Sequence, residues 1–152
     1  MVIPQKNERP LISIISLDSY LSADSMETKF VIKNVGTKPA FILITDEAFI
    51  DGRRIEVRNR NSESGFQMIM PDQYVKYRGL VIEGKTYETI LNGQLSPTIM
   101  QNIKIDYGDT EKSIGDYYTF QSVRLDVAKL VKFKNQSNIR DGFWLIEKSN
   151  FR

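Results

Sequence analysis

The sharpest chemical pattern in the chain is Gly79-Leu-Val-Ile-Glu-Gly84-Lys85-Thr86, which satisfies the G-x-x-x-x-G-K-[ST] spacing of a phosphate-binding loop. Such a loop works when successive backbone N–H groups curl around an anion and a helix starts at the lysine. Leu80, Val81 and Ile82 are strand formers that extend rather than curl, and the YETILNG run after Lys85-Thr86 is short for a helix. The residues therefore predict a strand ending in a Glu-Gly-Lys hairpin turn instead of a nucleotide site. A second pattern is acidic. Asp106, Asp109, Glu111 and Asp116 fall within eleven residues, and carboxylate oxygens suit Ca²⁺. Their spacing does not match the ligand positions of the twelve-residue calcium loop, so a solvated hairpin loop is expected there.

The third pattern is basic and aromatic. Phe133, Phe143, Trp144 and Phe151 are interleaved with Lys132, Lys134, Arg140, Lys148 and Arg152. Aromatic faces beside a cationic track can stack single-stranded bases or rest on a membrane surface. A tail of this kind can also pair with an open sheet edge of a second copy. Against these stands burial, with Phe143, Trp144 and Ile146 closing one end of the core while the lysines stay solvated. Tyrosines give amphipathic contact area, and adjacent Tyr117 and Tyr118 must point to opposite faces of one strand, so at least one faces away from the core. The candidate partner-binding residues are thus Tyr117, Tyr118, Phe143, Trp144, Lys132 and Lys134. No residue is assigned as catalytic, cofactor-binding or metal-ligating.

The elements that must position these groups are short strands punctuated by turns. Leu11 to Leu17 alternates and breaks at Asp18-Ser19; Thr28 to Asn34 puts Phe30 and Ile32 on one face and Lys29, Val31 and Lys33 on the other. The Asn34 to Pro39 stretch reverses the chain, with Gly36 free to take positive φ. Phe41 to Thr45 is a central strand, Asp51-Gly52 is a two-residue hairpin signal, and residues 58–65 form a polar loop. Phe66 to Met70, Tyr74 to Ile82, Tyr87 to Leu91, Ile99 to Tyr107 and Tyr117 to Val127 complete the strand set, with Ile103, Ile105 and Tyr107 sharing a face. Beyond it, Leu130–Phe133 and Phe143–Ile146 are read as a pairing hairpin, a helical segment or a partly disordered one.

Composition bounds what this architecture does. The 152 residues suit one domain, with a sandwich over about residues 9–127 and a basic aromatic extension over 128–152. With no cysteine and no histidine, the chain has no Ser-His-Asp triad, thiol nucleophile, cysteine or histidine zinc site, or histidine general base. A net charge of +2 is too balanced for nucleic-acid binding by overall charge. The charge is unevenly placed, because six basic residues against two acidic ones make residues 127–152 the basic end. No stretch reaches the roughly 18 apolar residues of a membrane-spanning helix.

Several segments together carry a family resemblance: ERPLISI from Glu8, KFVIKNVGTKPAFIL from Lys29, the Pro71-Asp72 turn before YVKY, and IKIDYGD followed by YYTFQSVRL. Over about residues 9–126 the chain resembles immunoglobulin-like sandwich domains of bacterial proteins, the Asn-x-Gly-x-x-Pro-Ala turn at Asn34–Ala40 being the most telling part. The resemblance implies an antiparallel immunoglobulin-like β-sandwich of seven to nine strands. It also implies membrane proximity, because in such chains an Arg-Pro before the first strand commonly follows a membrane anchor or linker. Arg9-Pro10 holds that place here, although no hydrophobic anchor precedes Arg9. The expected function is a non-catalytic interaction or structural module with a protein partner or self-association and no cofactor. The alternatives are a small-ligand-binding protein or an enzyme using carboxylates, Ser, Lys and Tyr, and single-stranded nucleic-acid binding through the basic tail.

Overall fold

The structure is a computed structural model, and it describes residues 8–55, 67–133 and 143–152. Nine strands form two antiparallel sheets: β1 (Ile12–Leu21), β2 (Ser25–Asn34), β3 (Ala40–Ile50), β4 (Arg53–Ile55), β5 (Gln67–Ile69), β6 (Tyr74–Glu83), β7 (Ile99–Gly108), β8 (Tyr117–Leu125) and β9 (Trp144–Phe151). The smaller sheet has the order β1-β2-β6, the larger β4-β3-β7-β8-β9, with β5 also on β3. Two short helices, α1 (Gly84–Leu91) and α2 (Val127–Lys132), close one end. The expected all-β sandwich is what the chain forms.

Alternation builds the core. Phe30 and Ile32 from the small sheet, and Ile103, Ile105 and Tyr107 from the large one, are fully buried, while Lys29, Val31 and Lys33 lie on the opposite side of β2. Side-chain bonds fasten the sheets together, among them Thr119 Oγ1 donating to the Ile12 carbonyl at 2.7 Å, Trp144 Nε1 donating to Ser19 Oγ at 2.9 Å and Asn34 Nδ2 donating to the Ile69 carbonyl at 2.9 Å. Across the middle, the inward row turns polar. Gln101 Nε2 donates to both carboxylate oxygens of Asp46 at 3.0 Å. Opposite them lies Gly79, where a Cβ would sit 2.8 Å from Gln101 Nε2 and 3.4 Å from Asp46 Oδ2. This polar seam divides the apolar interior into two clusters, one around Ile32, Ile42 and Ile105 and one around Met26, Leu80 and Ile99.

Several local expectations change. Tyr87 to Leu91 is not a returning strand; it belongs to α1, because Tyr87 and Ile90, three residues apart, are the positions the core buries. Val81 to Glu83 are paired strand residues opposite β2, so no curled loop precedes Lys85. Gly36 is not among the positive-φ residues. It is needed for close approach, since a Cβ there would lie 2.2 Å from the Arg9 carbonyl. The hairpin at Asp51-Gly52 forms as expected, both residues at positive φ. The polar loop over residues 58–65 lies outside the described residues.

Candidate interaction surface

The C-terminal segment divides its aromatics between core and surface. Asp126 caps α2, its carboxylate accepting from the Lys129 N–H at 3.1 Å, and the Asp126 N–H donates to the Phe143 carbonyl. This brings Phe143 into the apolar end of the sandwich, edge-on to Phe133 with ring centroids 6.4 Å apart. Trp144 follows it inward. Phe143 and Trp144 are therefore core residues, and their indole and phenyl faces are not open to a partner. Lys132 is exposed beside Phe133, and Lys134 lies outside the described residues. Of the forms expected for this segment, the helical one holds for Leu130 to Lys132, whereas Trp144 to Phe151 is a strand that pairs with β8 and not with the Leu130 stretch.

Tyr117 and Tyr118 take opposite faces, as adjacent strand residues must. Tyr117 packs on buried Tyr107, ring centroids 5.5 Å apart, and is covered by the Arg9 guanidinium. Tyr118 is on the outer face between Lys104 and Arg152, each within about 6 Å of its ring. Of the two it is the one on the outer face, half-buried between these cations, while Tyr74 is the more exposed at 59%.

The larger apolar surface is formed by residues outside the candidate partner set: Phe151, from the basic aromatic pattern, and Ile146, which the sequence expects to help close the core and which instead is exposed. In β9 only Trp144 is buried; the other seven residues are exposed, with Ile146 at 63% and Phe151 at 75%. Cross-strand pairing shows which way they point. Ile146 stands opposite buried Val123, and Phe151 opposite buried Thr119, so both lie on the face that looks toward the other sheet. They stay exposed because the three-stranded sheet stops at β1, which lies over β8 and reaches β9 through Ser19 at Trp144, while Leu145 to Phe151 are exposed. Leu145, on the outer face, adds a further exposed side chain. The one sequence signal for this surface is the apolar pair Leu145-Ile146 followed by Phe151 in an otherwise polar stretch.

The acidic loop is organised by its own turn: Thr110 and Ser113 cap each other, and the Lys104 ammonium lies 3.7 Å from Asp106. Among the described residues no three acidic side chains converge as a metal site would require. The one strongly perturbed carboxyl is inside. Burial pushes Asp46 up to about 7, against the Gln101 hydrogen bond and with the charge of Glu47. Two grooves flank α1, one beside Asp24 and Lys85 and one between Arg53, Arg54 and Thr89, whose hydroxyl is turned back onto the Lys85 and Thr86 carbonyls of its own helix. No helix of the described residues is long and apolar enough to cross a membrane. No protein-family model, curated protein or solved structure matches the chain.

Proposed function

We propose that the chain is a non-catalytic interaction or structural module that engages protein through the open edge of its sandwich. The observation that carries this reading is β9, a strand bonded on one side only among the described residues and exposing Ile146 and Phe151 where a sandwich normally buries such residues. Tyr118 and Leu145 on the outer face extend the same surface. The immunoglobulin-like resemblance of residues 9–126 supports placing the module in the soluble part of a membrane-associated bacterial protein.

A photo-reactive amino acid placed at Phe151 tests the reading in cells. Discrete protein adducts are expected at Phe151 and not when the same residue replaces Asp109 in the acidic loop. A specific turnover that disappears on mutating the Arg53–Thr89 groove, with the fold intact, would count against it and favour an enzyme.

A further inference from the structure

We infer that the partner of this open edge is a second copy of the same chain, each copy placing its β9 in the strand position missing beside β1 of the other. The inference rests on the interaction-module reading and names its partner.

The vacant position is defined by two of the cross-sheet bonds. Ile12 lies over Thr119, which pairs with Phe151; Ser19 is held by Trp144, which pairs with Leu125. β1 therefore runs alongside β8 and antiparallel to β9. Its outer edge, unpaired among the described residues, follows β9 from the level of Trp144 to that of Phe151. A strand added there would pair with β1 and cover Ile146 and Phe151 from above. The strand required is extended, about eight residues long, and apolar on its inward side. β9 itself has these properties.

Symmetry allows both copies to satisfy this at once. Take a two-fold axis running along the strands, midway between the sheets and in line with β9. Rotation about it carries β9 of one copy from the large-sheet layer into the small-sheet layer, next to β1 of the other. The direction of a strand parallel to the axis is unchanged, so the new β1–β9 pairing is antiparallel, and the axis adds no shift along the strands. Ile146 and Phe151 of the two copies then face each other across the interior. Every edge left open on this side of the sandwich is closed by the same contact, which is the self-complementarity a two-fold dimer requires. Ten residues of β1 and eight of β9 from each copy approach the roughly 20 residues a side of a stable specific interface. Simple edge-to-edge pairing of two β9 strands is a poorer solution, since it leaves β1 open and Ile146 and Phe151 uncovered.

The full chain should scatter light as a species of about 35 kDa, twice its 17.6 kDa. The double variant Ile146→Lys, Phe151→Glu should weaken this dimer by roughly 100-fold while keeping its circular dichroism, because both side chains are already exposed in the single copy. As the chain has no cysteine, Ile146→Cys alone should be joined into a covalent dimer by a short bis-maleimide, whereas Asp109→Cys should not. A dimer that survives the double variant, or that forms without cross-linking at Ile146, overturns the inference in favour of edge-to-edge pairing. A wild-type monomer at high micromolar concentration also overturns it. If that monomer still gives adducts with a different protein at Phe151, the module reading stands; if it gives none, both readings fall.

Discussion

Single positions in this fold hold several segments at once. The Asn34 side chain is fully buried and makes four bonds: it accepts from the Leu11 and Gly36 N–H groups and donates to the Lys38 and Ile69 carbonyls. Gly36, beside it, lets the Arg9-Pro10 backbone pass against the turn. Gly36→Ala places a methyl group against the Arg9 carbonyl, which backbone movement must relieve. We expect a loss of about 1–3 kcal/mol in urea unfolding, and an unchanged midpoint would refute the close-contact account. Asp46 gives a second residue-scale prediction. Its carboxyl holds a proton more tightly in the fold than in the unfolded chain, so its contribution favours the fold at low pH and is lost as pH rises from about 4 to about 7. Asp46→Asn should flatten this slope and raise stability at pH 8 relative to the parent, by about 2–4 kcal/mol at most. Denaturation at pH 5 and pH 8 decides the point, and a variant with the parent's slope defeats it.

At the scale of elements, legibility in the sequence followed periodicity. The strands over Thr28–Asn34 and Ile99–Tyr107 were readable because one face is buried throughout and the period of two is unbroken. α1 was not, because eight residues give barely two turns and Tyr87, Ile90 and Leu91 fit a short strand as well as a helix. β1 runs past the Asp18-Ser19 break because buried Ser19 has the Trp144 indole as its partner, a contact 125 residues away in sequence. β9 was hidden for a related reason. Its register slips by one residue at Glu147, so Ile146 and Phe151 share a face while standing five apart. The surface residues accordingly shifted: Phe143 and Trp144 lie in the core, Tyr118 lies on the outer face, and Ile146, expected in the core, is exposed beside Phe151. The segment after Asp126 is thus part of the sandwich. A chain ending at Asp126 loses buried Leu130, Phe143 and Trp144, each worth about 3–5 kcal/mol, against a typical total of 5–15. It should show no cooperative melt; a folded, equally stable truncation would contradict the packing described.

At the scale of the whole molecule, the two layers are unequal in width, and the open edge follows from that inequality. The small sheet ends above β8 while the large one continues to β9. The connections also leave no sheet locally closed. β2 to β3 passes from one layer to the other through the Asn34–Pro39 turn, β6 returns to β2 only after β3, β4 and β5, and β7 and β8 complete the layer that β3 began. This has a consequence in time. Contacts between distant parts of a chain make folding slow, since the loops must close before the pairs can hold. The bonds from Thr119 to Ile12 and from Trp144 to Ser19 are the extreme cases, joining residues 107 and 125 apart in sequence. Neither bond can form before the two layers have met, which makes the pair a latch that closes late in folding.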